Sequence, residues 1–264
     1  GMLFCSPAGN DLLFDESLTE QGRNFSNKIW NAFRLIKGLE VSTEIEQPKA
    51  SKLAIQWYEA KFQKVLTEID KSFEQYRVSE ALMTTYKLIW DDFSSWFLEM
   101  VKPGYKQPID AATYNEVIRF LEGNLKVLHP FMPFITEEIW QHISERTPNE
   151  ALIIAEYPVI KDFDSAFIDK FSQASEVISN IRTIRKERNI SFKNELTLSV
   201  LNNGGVDKEF DAVIIKLGNL SQIDYVNEKI SNALSFRIHS IEYFIPLGEE
   251  VNQEEENEKL REEL

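Results

Sequence analysis

The chain has 264 residues, 43% of them hydrophobic, and a formal charge of −14 from 29 Lys and Arg against 43 Asp and Glu. That apolar content, with five tryptophans, supplies a core and excludes a disordered chain. The single cysteine, Cys5, excludes an internal disulfide framework, and the scattered His129, His142 and His239 argue against a structural zinc site. No apolar run reaches the length of a membrane span and no leader pattern is read at the N-terminus, so a soluble cytoplasmic protein is expected. The acidity argues against a polyanion held by bulk charge. It still allows a local basic face, with the remaining surface repelling RNA everywhere else.

Ser17 followed by Glu20 forms a capping-box pattern, and residues 18 to about 38 are read as a first helix. Its apolar face is Phe25, Ile29, Ala32, Phe33 and Ile36, and Gly38 supplies the stop. Pro48 opens a second helix over residues 50 to about 76. A third runs from about 79 to 101, ended by Pro103 and Gly104, and a fourth covers 111–128. Pro130 and Pro133 break the pattern before it resumes over 136–144. Short connections between long amphipathic helices predict antiparallel packing.

After Pro148 the character changes. Residues 151–156 are a short apolar stretch compatible with extended backbone, and Tyr157-Pro158 closes the first unit. A helix over about 164–188 is followed by strand-like segments at 196–201, 223–226 and 236–244, with a helix over about 207–217 between the first two. The expected fold class is therefore mainly α. An antiparallel helix bundle fills residues 1–160, a small α+β unit 161–248, and a glutamate-rich stretch over 249–264 begins a coiled-coil arm, with Leu260 and Leu264 one turn apart.

Little in the chain looks catalytic. There is no phosphate-cradling glycine loop, no histidine beside a nucleophile and no metal constellation. The pairs Asp91-Asp92 and Glu137-Glu138 diverge by about 100° on a helix, so solvated faces explain them better than acid–base work. Trp90, Phe93, Trp96 and Phe97 are read as bundle core, as are Phe131, Met132, Phe134, Ile135 and Ile139.

Two basic patterns stand out. On the first helix Arg23, Asn27, Trp30, Arg34 and Lys37 share the face opposite the apolar one. Guanidinium forks suit phosphate, an amide can read a base edge, and an indole can stack on an unpaired base. Periodicity alone favours the plainer reading of an ordinary polar face with Trp30 packed on a neighbouring helix. The second pattern is Arg182, Arg185 and Lys186 on one face, with Arg188 and Lys193 nearby, and Val177, Ile181 and Ile184 opposite. Favourable charge at a helix C-terminus and contact with RNA explain that cluster equally well.

Several segments together resemble the valyl-tRNA synthetase family of bacteria. "MLFCSPAGNDLLFDE" (residues 2–16) is similar to the stretch leading from that family's catalytic domain into its helical bundle, and "GRNFSNKIWNAFRLIKG" (22–38) to the first bundle helix. "IWDDFSSWFLEMVKP" (89–103) and "LHPFMPFITEEIWQ" (128–141) resemble later bundle helices, and "ISNIRTIRKERNIS" (178–191) the helix that follows. The "HPFMPFITEEIW" type recurs in class I synthetases for valine, isoleucine and leucine. The combination of "SPAGND" with "RNFSNKIWNAFR" points to valine.

The resemblance implies an anticodon-binding bundle, a small α+β unit and the start of a coiled-coil arm. It implies a parent enzyme that joins valine to tRNA(Val) with ATP and magnesium and edits mischarged threonine, because a hydrophobic pocket rejects a hydroxyl isostere only weakly. The HIGH and KMSKS signatures are absent from this chain. The chain alone is therefore expected to hold no active site and no cofactor. Its expected partners are the anticodon loop of tRNA(Val) and an upstream catalytic domain, and the expected state is a monomer. With the resemblance, Arg23, Asn27, Arg34 and Lys37 become an expected RNA-facing surface, with Trp30, Arg182, Arg185 and Lys186 as further candidates. The equivalent region of an isoleucine or leucine enzyme, or a helical protein-interaction scaffold with no RNA role, are the competing readings.

Overall fold

The computed structural model describes residues 16–147, 149–201 and 206–246. They divide into two units, with the boundary between Ile168 and Asp169. The expected coiled-coil arm over 249–264 lies outside the described residues.

The first unit is helical. Helix α1 (Glu16–Lys37) buries Phe25, Ile29, Ala32, Phe33 and Ile36, the five residues that its periodicity selects. Ser17 already lies within the helix, so it does not cap it. Strand β1 (Val41–Ser42) pairs in parallel with β2 (Ile109–Asp110), a two-residue match too short to carry any alternation in sequence. Helix α2 (Lys49–Glu74) starts after Pro48, whose fixed φ and missing N–H suit a helix entrance. Helix α5 (Ala111–Leu128) starts where the Asp110 side chain accepts the Thr113 N–H at 2.8 Å.

The expected third helix is one continuous rod with an irregular middle. Helix α3 (Val78–Lys87) passes into ten residues of π-helix (Leu88–Phe97) and then into α4 (Leu98–Val101). Hydroxyls of Ser94 and Ser95 follow the wider winding, donating to the carbonyls of Ile89 and Trp90 five residues back. The winding also changes which residues face inward. Leu88, Ile89, Phe93, Phe97 and Leu98 are buried, whereas Trp90 and Trp96 turn half out, so only part of that aromatic set is core.

Helix α6 (Pro133–Ile143) carries Pro133 in its first turn. Ile139 is buried there, but Phe134 is 90% exposed and does not belong to the core. The 151–156 stretch is not extended but makes a short 3-10 turn, Leu152–Ile154.

The bundle centres on Tyr58, whose ring lies 4.8 Å from both Phe97 and Phe120 and 5.5 Å from Phe93. Its hydroxyl donates to Asn124 at 2.9 Å, which satisfies a polar group that is wholly buried. At Gly123 helix α5 meets α2 so closely that a β-carbon would sit 2.9 Å from the Phe62 ring.

Asp92 is the one acid of its pair that leaves water. It lies 3.4 Å from Lys61 and its side chain is only 15% exposed. Burial pushes its carboxyl from 3.8 to about 6, Lys61 offsets part of that, and Asp91 and Glu68 add to it. Because the folded value lies above the unfolded one, the unfolded chain releases its proton first as pH rises. The fold therefore loses stability from about pH 4 to about pH 6. At about 1.4 kcal/mol per unit the loss approaches roughly 3 kcal/mol by pH 7. Urea unfolding of Asp92→Asn beside the parent chain should show the difference shifting by that order in the variant's favour between pH 4 and 7. A difference independent of pH would refute the assignment.

Helix α7 (Ser165–Glu187) begins where Asp164 accepts the Phe167 N–H at 3.1 Å. The second unit holds most of this helix and a four-stranded sheet of order β4-β3-β6-β5. Strand β3 (Leu196–Leu201) leads through α8 (Asp211–Gly218) to β4 (Leu220–Val226), which pairs with it in parallel. The expected single segment over 236–244 is instead a hairpin of β5 (Ala233–Ile238) and β6 (Ile241–Pro246). Its turn contains His239 at φ 51°, a left-handed conformation that no glycine announces in the sequence.

Candidate nucleic-acid interface

Five buried side chains fix the rotation of α1, and the opposite face follows from it. Arg23, Asn27, Arg34 and Lys37 are all exposed along that face. Arg23 and Lys37 are fourteen residues apart, so the strip is about 21 Å long. Arg34 and Lys37 occupy the last turn, where the helix dipole favours cations. Arg23 has Glu20 at 3.5 Å, with both side chains more than 60% exposed, a pairing too solvated to hold the guanidinium against a phosphate.

Trp30 is only partly available. Its ring packs 5.5 Å from Phe33 and edge-on to His142 of α6 at 6.5 Å, so packing accounts for one side of the indole. Lys28 points elsewhere: it donates to Ser95 at 3.2 Å and sits 4.6 Å over the Trp90 ring. Beside the strip, Gln21 and Asn24 of α1 line a hollow of about 320 Å³ with Met83, Tyr86 and Trp90. Sequence reading passed over these two amides because they belong to neither helix face.

The second cluster needs correction. Arg185 is 4% exposed and faces the interior with Val177, Ile178 and Ile181, whereas Ile184 is only half-buried. Its guanidinium donates to the carbonyls of Gly218, Asn219, Ser191 and Asn194 at 2.9–3.3 Å. Every donor of the fork is engaged, so Arg185 is not available to grip RNA directly. It fastens the end of α7 to the end of α8 and to the turn before β3. Burial lowers its affinity for the proton from the ordinary arginine value.

Arg182 and Lys186 remain exposed. Helix α7 ends in a Schellman arrangement, with Ile190 N–H donating to Arg185 and Asn189, at φ 51°, donating to Lys186. The chain then turns and presents Phe192, 56% exposed. Arg182, Arg185, Lys186, Asn189, Ile190 and Phe192 line an open groove of about 320 Å³. Phe192 was missed in sequence, although an aromatic just past a basic helix end is a signal worth reading.

Residues 56–200 match the family described as the anticodon-binding domain of tRNA ligase. The chain belongs to that family. The matched stretch of this anticodon-binding domain starts within α2, so it includes the α7 cluster but not the α1 strip. Over its full length the chain is 61% identical to a valine–tRNA ligase of Christiangramia forsetii and 51% identical to one of Parabacteroides distasonis. It is 29% identical, over 96% of its length, to the valine–tRNA ligase of Thermotoga maritima. The chain spans 29–30% of the length of these relatives.

Proposed function

We propose that this chain is the tRNA-recognising part of a valine–tRNA ligase and that it receives the anticodon loop of tRNA(Val) on α1. The observation that carries the reading is the exposed strip of Arg23, Asn27, Arg34 and Lys37 on a chain whose formal charge is −14. Arginine forks on phosphates set position, and an amide between them reads a base edge, the division of labour usual in RNA recognition. The identity to valine–tRNA ligases supports valine as the cognate amino acid.

In this reading the parent protein is a cytoplasmic monomer that joins valine to tRNA with ATP and magnesium, and this chain holds the RNA while chemistry occurs elsewhere. Among the described residues no group of three or more His, Cys, Asp or Glu gathers where it could hold a metal ion. A C-terminal arm starting near Glu249 is part of the same proposal.

The test is a salt titration of the chain against a tRNA(Val) transcript and the same transcript with an altered anticodon. The cognate transcript should bind about tenfold tighter or better throughout, since one mismatched contact costs about 1–3 kcal/mol in comparable nucleic-acid readers. Equal affinity for both at every salt concentration would overturn anticodon reading and leave the family assignment intact.

A further inference from the structure

We propose that the groove at the C-terminal end of α7 is a second RNA contact, taking one unpaired nucleotide with its phosphate at Arg182 and Lys186 and its base on Phe192. It rests on the reading above that the ligand is tRNA, and it adds a site on the second unit.

The local charge opposes the charge of the whole chain. Between residues 182 and 193 there are five cations, Arg182, Arg185, Lys186, Arg188 and Lys193, against one acid, Glu187. Arg185 sharpens the contrast. Its hydrogen bonds all end on carbonyls, which orient around a cation without cancelling its charge, and no ion pair among the described residues includes it. A fixed positive charge thus lies beneath the groove, at a depth where screening by salt is weak.

Phe192 supplies the second element. A large apolar ring 56% exposed on a turn presents an open face on which a base can stack. The turn that carries it is pinned: Asn219 donates to the Phe192 carbonyl at 2.6 Å, and Asn194 N–H donates to Ser191 at 3.1 Å. Beneath the ring the Arg185 guanidinium lies 5.3 Å from its centroid, so a base laid on the outer face would complete a cation–aromatic–base stack. Favourable charge at a helix C-terminus accounts for Lys186 but does not call for an aromatic ring beside it. One aromatic beside Ile190 and ringed by cations fits a nucleotide, with a base for the ring and a phosphate for the cations, better than an acidic protein surface.

The experiment uses the full chain and a tRNA(Val) transcript, with affinity measured across salt concentrations. Phe192→Ala and Phe192→Leu should each weaken binding about tenfold with an unchanged salt dependence, and Phe192→Tyr should restore it. Lys186→Glu should weaken binding and flatten the log–log salt slope by about 0.7, the release expected for one single-stranded phosphate. Unchanged affinity in all of these, while Arg23→Glu with Arg34→Glu still loses RNA, would overturn the groove and leave the α1 reading standing. An unaltered chain that binds no tRNA would overturn both. Displacement of the tRNA by polyglutamate as readily as by polyuridylate would mark a general anion site and overturn the nucleotide assignment.

Discussion

Replacing Arg185 by alanine is expected to destabilise the second unit by about 3–5 kcal/mol. Five hydrogen bonds to four carbonyls disappear together; the two to Gly218 are buried, and those to Ser191, Asn194 and Asn219 are partly buried. Gly218 and Asn219 would lose the tie that holds the end of α8 to α7, and the turn through Ser191 and Asn194 would lose the tie that sets the entry to β3. A loss of that size rivals the whole stability of a small unit. Hydrogen exchange read segment by segment should show residues 169–246 losing protection while the Tyr58-centred bundle keeps it. Arg185→Lys should rescue little, because three donors on a flexible stem do not reproduce a rigid five-donor fork. Normal protection in the alanine variant would show the bolt to be dispensable.

Reversing charge at Arg23 and Arg34 together is expected to lower affinity for tRNA(Val) about 100-fold or more near physiological salt. Each arginine contributes about 1.5–3 kcal/mol if it makes charge-assisted bonds to phosphate, and each glutamate adds repulsion. Both side chains project into solvent from a helix anchored on its other side, so stability should move by no more than about 0.5 kcal/mol. Binding and thermal unfolding measured on the same preparation separate the two effects. Unchanged affinity in a folded variant would remove α1 as the RNA face and favour a scaffold that binds protein.

Elements governed by local chemistry were legible in the sequence. The five buried residues of α1 follow from helical spacing, and α5 and β3 have the limits that the pattern predicts. What escaped depends on partners distant in sequence or on unusual winding. The π-helical stretch shifts the inward phase, so Trp90 and Trp96 leave positions that α-helical spacing gives them. Phe134 reads as core by composition, yet it sits at the start of α6, where the face turns outward. Arg185 was the hardest case. Residues 184 and 185 both continue the phase of Val177 and Ile181, and hydrophobicity alone picks isoleucine. Only carbonyls contributed by residues 191–219 make the arginine the better inward choice. Likewise the strip on α1 is visible in the sequence as a face, but nothing local distinguishes a binding face from a solvated one.

The tryptophans fall unevenly between the two units. Trp30, Trp57, Trp90, Trp96 and Trp140 all belong to the first, with Trp57 and Trp140 buried and the others half-covered. Intrinsic indole emission therefore reports on the bundle alone, and the second unit could melt without altering it. Trp30, seated beside the cationic strip, makes the chain its own optical probe of whatever settles on α1.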